Sequence, residues 1–221
     1  QQSQKLQALF TNRMLREGTQ KYTAATIAEK LDYYGSWLEL SSSSEYAYIT
    51  VYSLNKYLAK TLEVVESMIK EPVFPEKELH TILDTNIQQY LVNTSKVDFL
   101  AHRGLLQALY GTQHPCGQIV VEEDYHAIIP EVLRDFYGRH YHSGNCSIFL
   151  SGKVTEDIIR RVTGAFGTPF GQYQLKASKP IFSFVAVPEK RIFIEREDAW
   201  QSAVKMSCSP IGKYDNTSRY W

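Results

Sequence analysis

The sequence predicts an α+β fold, a two-layer lobe with an antiparallel sheet packed against helices. Two observations carry this expectation. Apolar residues recur at helical spacing in segment after segment, and the few strand-like runs, rich in aromatic and β-branched residues, do not alternate one for one with those helices as a doubly wound parallel sheet would require. The chain has 221 residues and is 43% hydrophobic, enough to bury a core, which excludes disordered and collagen-like classes.

Leu6, Leu9, Phe10 and Met14 predict a first helix over 3–17 ending at Gly18. Thr23 suits the N-cap of a second helix carrying Ala24, Ile27, Ala28, Leu31 and Tyr34, which Gly35 ends. Trp37–Ser42 and Glu45–Ser53 alternate, so a hairpin is expected there, joined through Ser42-Ser43-Ser44. Its second strand places Tyr46, Tyr48 and Tyr52 on one face and Ile49 and Val51 on the other. The helical period resumes from Asn55 to Pro72, and Pro75 opens a helix holding Leu79, Ile82, Leu83, Ile87 and Leu91. Residues 98–110 predict a further helix, followed by turn chemistry through His114-Pro115-Cys116-Gly117. Ile128 to Tyr137 predicts the next helix, Asn145–Ser151 a strand, and Thr155 the cap of a helix ending near Gly167. A linker runs to about residue 179, beyond which Ile181–Val187, Arg191–Glu197 and Gln201–Cys208 are strand-like.

Lys plus Arg equals Asp plus Glu at 24 each, so no global charge draws the chain to nucleic acid or an anionic membrane. No apolar run approaches the roughly 20 residues of a transmembrane helix, and a soluble chain is expected, with its compartment undetermined. Cys116, Cys146 and Cys208 lie far apart, so spacing predicts neither a disulfide framework nor a zinc ribbon. The chain opens without Met on a helical pattern and stops at Trp221 in a polar stretch, which predicts a fragment of something longer.

Several phrases, in order along nearly the whole chain, carry a resemblance. They are Met14-Leu15-x-x-Gly18-Thr19, Pro72-x-Phe74-Pro75-x-x-Glu78-Leu79, Leu109-Tyr110-Gly111-x-x-His114-Pro115-x-Gly117, Phe136-Tyr137-x-x-x-Tyr141-x-x-x-Asn145, Gly152-Lys153-Val154 and Ala199-x-Gln201-x-x-Val204. The chain resembles the pitrilysin/insulinase family of zinc metallopeptidases, including mitochondrial processing peptidase. The resemblance implies a first peptidase-like lobe over 1–178, missing its opening strands, and a truncated second lobe that begins in 179–221. It further implies that 190–208 either fold back onto the first sheet or leave an edge for a neighbour.

Active members carry an inverted His-x-x-Glu-His signature just before the Met-Leu phrase, two His holding Zn²⁺ and the Glu acting as general base on the bound water. Carried over by position, the first His falls on Leu9, the Glu on Asn12 and the second His on Arg13. The distal Glu ligand falls on Gln89 and a supporting Glu on Ile82. Leu9 fits the buried stripe and Arg13 would repel a cation, so no zinc and no ordinary peptidase chemistry are expected. A relocated metal site has His140 and His142 as its candidates, although Tyr141 is expected to be the packed residue with both His pointing outward. Cys116 beside His114 and the scattered Glu76, Glu78, His80 and Asp84 read as structural and solvated rather than catalytic.

In the family the strand after the second helix captures substrate as an extended peptide, which makes Trp37, Leu38, Glu39, Leu40 and Ser41 the peptide-binding candidates. Glu39-Leu40 replaces the usual Asn-Ala, a departure that puts this capture in question. The expected function is a non-catalytic homologue forming part of a peptide-holding chamber, its partner a zinc-bearing homologue or another half of the same protein. The alternatives are a structural scaffold subunit and a metallopeptidase with relocated ligands.

Overall fold

The computed structural model describes residues 2–43, 45–171 and 191–207. Its elements are α1 (Gln7–Met14), α2 (Ala24–Tyr33), β1 (Trp37–Ser42), β2 (Ala47–Tyr52), α3 (Leu58–Lys70), α4 (Glu76–Thr94), α5 (Val97–Tyr110), α6 (Glu122–His126), α7 (Pro130–His140) and α8 (Glu156–Phe166). The fold is α+β. The chain divides into two compact units, Gln1–Thr85 with Glu122–Ser178, and Asn86–Val121 with Lys179–Trp221.

In the first unit the expected helix over 3–17 is shorter at both ends. Leu6 takes a left-handed φ of 66°, and the Ser3 N–H and hydroxyl both donate to Gln7 Oε1, so the chain enters by a turn instead. After Met14 the chain turns again, Glu17 N–H donating to the Met14 carbonyl at 3.0 Å. α2 follows its capping logic: Thr23 Oγ1 accepts from Thr26 N–H at 3.2 Å, and Gly35 supplies the positive φ of 58° that closes the helix. β1 and β2 pair antiparallel, Trp37 opposite Tyr52 through Ser42 opposite Ala47.

Leu38 joins Ile27, Leu31, Val64 and Met68 in one core beneath the hairpin, with Leu40, Ile49 and Val51 packed against it. A second core gathers Phe10, Met14, Leu15, Phe74, Leu79, Leu83, Ile128 and Leu133. α1, which supplies Phe10 and Met14 to the second core, packs against β1, β2 and α7. Tyr137 ties α7 to the end of α3 by donating to the Ile69 carbonyl at 2.7 Å, and Lys70 ties α3 to α8 by donating to the Ala165 carbonyl at 2.6 Å.

Three expectations are corrected. Asn145–Ser151 is not a strand: a single 3-10 turn spans Ser143–Asn145, and the extended residues beyond it pair with no described strand. Arg191–Glu197 and residues 201–207 of the Gln201–Cys208 run also form no ladder. An extended run becomes a strand only when a neighbour accepts its hydrogen bonds, and the described residues supply none. Ile181–Val187, Cys208 and the expected boundary at 178–179 lie outside the described residues.

In the second unit, the guanidinium of Arg103 sits over the rings of Phe99 and Tyr90 at 5.4 and 5.8 Å. Its Nη2 donates to the Val120 carbonyl at 3.0 Å, fastening α5 to the loop behind it. No helix of the described residues is long and apolar enough to cross a membrane.

Candidate functional site

α1 carries Leu9, Asn12 and Arg13, the residues onto which the resemblance lays the inverted signature, within the first unit. Leu9 is half-buried and packed against the second core. Asn12 is fully buried, and its Nδ2 donates to the Ser41 carbonyl at 2.7 Å and lies 3.4 Å from that of Tyr48. Its Oδ1 accepts from the Tyr141 hydroxyl at 3.5 Å. The amide therefore links α1 to both strands of the hairpin and to the end of α7. Arg13 is half-buried with its guanidinium 5.9 Å from the centre of the Phe10 ring.

This donor set does not suit zinc. Leu9 has no lone pair, the Asn12 amide is engaged with the backbone, and Arg13 brings a positive charge. In α4, Ile82 packs against the second core, whereas Gln89 is exposed and donates to Asn93 Oδ1 at 3.2 Å.

Around Asn12 the aromatic residues of α7 are pressed out of water. Tyr137 and Tyr141 stack at 5.4 Å, and Tyr137 meets Phe74 edge-on. Burial, aided by the Glu71 carboxylate, pushes the Tyr137 phenol up to about 12. Burial also raises the Tyr141 phenol far above its ordinary value.

His140 and His142 do not both point outward. His142 is only 7% exposed, because Phe170 and Gly171 return over it: Ser143 N–H donates to the Phe170 carbonyl at 3.0 Å, and a Cβ on Gly171 would meet His142 Cβ at 2.8 Å. His140 is half-buried, its ring 4.3 Å from that of Phe136. Tyr141, expected to be the packed residue, is half-buried as well. Among the described residues, no three His, Cys, Asp or Glu side chains are grouped to hold a metal ion.

The peptide-binding candidates Trp37 to Ser41 form most of β1. Ser43 N–H donates to the Tyr46 carbonyl at 2.8 Å. Hydrogen-bonded pairs alternate along an antiparallel ladder, so Ser41–Tyr48, Glu39–Thr50 and Trp37–Tyr52 exchange the ladder bonds. The backbone groups of Leu38, Leu40 and Ser42 consequently face outward, along an edge with which no described strand pairs. Leu38 and Leu40 turn their side chains into the core; Trp37, Glu39 and Ser41 turn theirs to solvent. The Asn12 contact to both strands was not foreseen from the sequence. The signal was a polar residue one turn from Ala8 and flanked by Phe10 and Met14, on a helix too deeply buried to have a solvent face.

Comparison with known proteins settles the family. The model described as insulinase, peptidase family M16, matches residues 7–119, and that described as peptidase M16 inactive domain matches 127–217. The chain belongs to the M16 peptidase family. It is 25% identical over 161 residues to an uncharacterized zinc protease, YmxG, of Bacillus subtilis, covering 72% of this chain and 39% of that protein. It is 26% identical over 177 residues to the mitochondrial-processing peptidase subunit alpha-1 of Dictyostelium discoideum, covering 78% of this chain and 27% of that one. Among solved structures, a peptidase M16 inactive domain from Pseudomonas fluorescens superposes with a TM-score of 0.66 at 25% identity, covering 79% of this chain and 44% of that one. The chain thus spans well under half the length of these curated M16 relatives.

Proposed function

We propose that this chain is a non-catalytic M16 member that holds an extended peptide along β1, as part of a chamber completed by a zinc-bearing homologue or by another half of the same protein. One observation carries the reading. At the position of the general base stands a buried amide whose donor is engaged by two backbone carbonyls beneath the hairpin, between an apolar residue and a cation. The helix that would hold the metal instead braces the strand that would hold the peptide. That strand keeps the feature peptide capture requires: an edge with which no described strand pairs, along which the backbone groups of Leu38, Leu40 and Ser42 face outward.

The test is zinc stoichiometry of the purified chain after dialysis against micromolar zinc, together with co-purification from its source. The expected result is zinc far below one per chain and recovery with an M16 homologue that carries an intact His-x-x-Glu-His. Stoichiometry near one zinc per chain overturns the non-catalytic reading and sends the search for ligands back to His140 and His142. Repeated isolation without any zinc-motif partner or half overturns the chamber.

A further inference from the structure

The outer face of the hairpin has a composition that the edge of β1 does not explain. Trp37, Tyr46, Tyr48 and Tyr52 are 59%, 51%, 48% and 53% exposed, although Ile49 and Val51 of the same strand are turned inward. The Trp37 and Tyr52 rings stack at 4.9 Å, and Tyr46 lies 6.1 Å from Tyr48, so the rings are arranged rather than scattered. Glu39 stands among them, between Trp37 and Ser41 along β1 and opposite Thr50, with Tyr48 and Tyr52 on the diagonals. Its carboxylate is exposed and forms no ion pair among the described residues.

The charge of the region is one-sided. Between Lys30 and Lys56 the sequence has Asp32, Glu39 and Glu45 and not one Lys or Arg. Both bounding lysines are engaged elsewhere: Lys30 Nζ sits over the Tyr22 ring at 5.1 Å and Lys56 Nζ over the Tyr57 ring at 4.4 Å. An exposed carboxylate framed by aromatic faces suits a guanidinium or ammonium group, which gains ion pairing from the first and cation–π attraction from the second.

We infer that this face recognises a basic polypeptide segment, its Arg or Lys side chains lying over Trp37, Tyr48 and Tyr52 with Glu39 as counter-ion. The inference rests on the peptide-holding role proposed above and names the class of peptide held. The geometry joins the two: a strand added at the outer edge of β1 lies about 5 Å from it and turns every second side chain to the face that carries Glu39. A peptide with basic residues at alternate positions satisfies the edge and the face together.

The experiment measures binding to the 221-residue chain by fluorescence anisotropy. The probes are a labelled peptide alternating Thr and Arg, the same peptide with Gln for Arg, and the Arg peptide N-methylated along its pairing edge. The expected result is about tenfold tighter binding of the Arg peptide than of the Gln peptide, a preference that shrinks with added salt. Glu39→Gln removes most of the preference, Trp37→Ala removes part of it, and N-methylation weakens binding. Equal affinity for the Arg and Gln peptides, or a preference that survives Glu39→Gln, overturns the inference. If the two bind equally and N-methylation abolishes both, the edge reading stands and this one falls. If the Arg preference persists while N-methylation changes nothing, the basic face stands and capture at the edge falls.

Discussion

The hairpin Trp37–Tyr52 and the extended run Cys146–Leu150 carry equally strand-like side chains, yet only the first is a sheet. The hairpin's partner strand is a short turn away, Leu38, Leu40, Ile49 and Val51 find a core beneath it, and the Asn12 amide holds both strands from below. The second run has one of these supports. Ile148 and Leu150 line an open groove with Ile159, Val162 and Phe166 of α8, but no described strand accepts their backbone hydrogen bonds, and Phe149 is 90% exposed. Side-chain propensity proposes a strand, and a partner backbone makes one.

The largest expected effect lies under the hairpin. Met68 is fully buried against Leu38 and its neighbours, so Met68→Ala leaves a cavity and is expected to cost about 2–5 kcal/mol in urea unfolding. Trp37 fluorescence should report the same transition. A loss below about 1 kcal/mol would mean that the hairpin is held by its ladder alone, and the comparison drawn above would fail.

How far the sequence could be read follows the same division. Helices with a cap, a stripe and a stop residue were legible: α2 between Thr23 and Gly35, α4 behind Pro75, α8 behind Thr155. The hairpin was legible because its two halves are adjacent and its alternation separates Tyr46, Tyr48 and Tyr52 from Ile49 and Val51. The 145–151 and 191–207 runs were misread because period and propensity carry no information about a partner. At the site, the family's phrases directed attention to Leu9, Asn12 and Arg13, but not to what those residues touch in the fold. The Asn12 bonds reach Ser41, Tyr48 and Tyr141, residues 29, 36 and 129 positions away, which no local pattern encodes. The burial of His142 depends likewise on the return of Phe170 and Gly171.

Next in size is the brace itself. Asn12→Leu keeps the volume but removes the donor facing the Ser41 carbonyl and leaves the Tyr141 hydroxyl without its acceptor, at an expected cost of about 1–3 kcal/mol. Asn12→Glu is expected to do no better, since a carboxylate brings acceptors against two carbonyl oxygens. Chemical denaturation of both variants checks this. An Asn12→Glu protein as stable as the parent would show that the amide braces nothing.

A smaller effect is expected at alkaline pH. Tyr137 has its phenol raised to about 12 in the fold, against about 10 in an unfolded chain, so the folded state holds its proton longer. The stability this contributes is complete below pH 10 and is lost as pH rises toward 12. Tyr137→Phe should flatten that alkaline loss, while at neutral pH it costs about 1 kcal/mol for the bond to the Ile69 carbonyl. Unfolding midpoints at pH 8 and near pH 11 separate the two effects, and an unchanged alkaline slope in the variant would point to Tyr141 instead, whose phenol burial also raises.

The smallest effect is expected in the second strand-like run. Phe149→Ser changes an exposed side chain on a backbone with no described ladder, so unfolding should shift by less than about 0.5 kcal/mol. Amide exchange over Cys146–Leu150 should be fast beside that of β2, whose ladder bonds to β1 must open before exchange. A cost comparable to that of Asn12→Leu, with slow exchange across 146–150, would mean that another strand covers this run in solution. The contrast with the hairpin would then be one of which chain segment supplies the partner, since both runs would have found one.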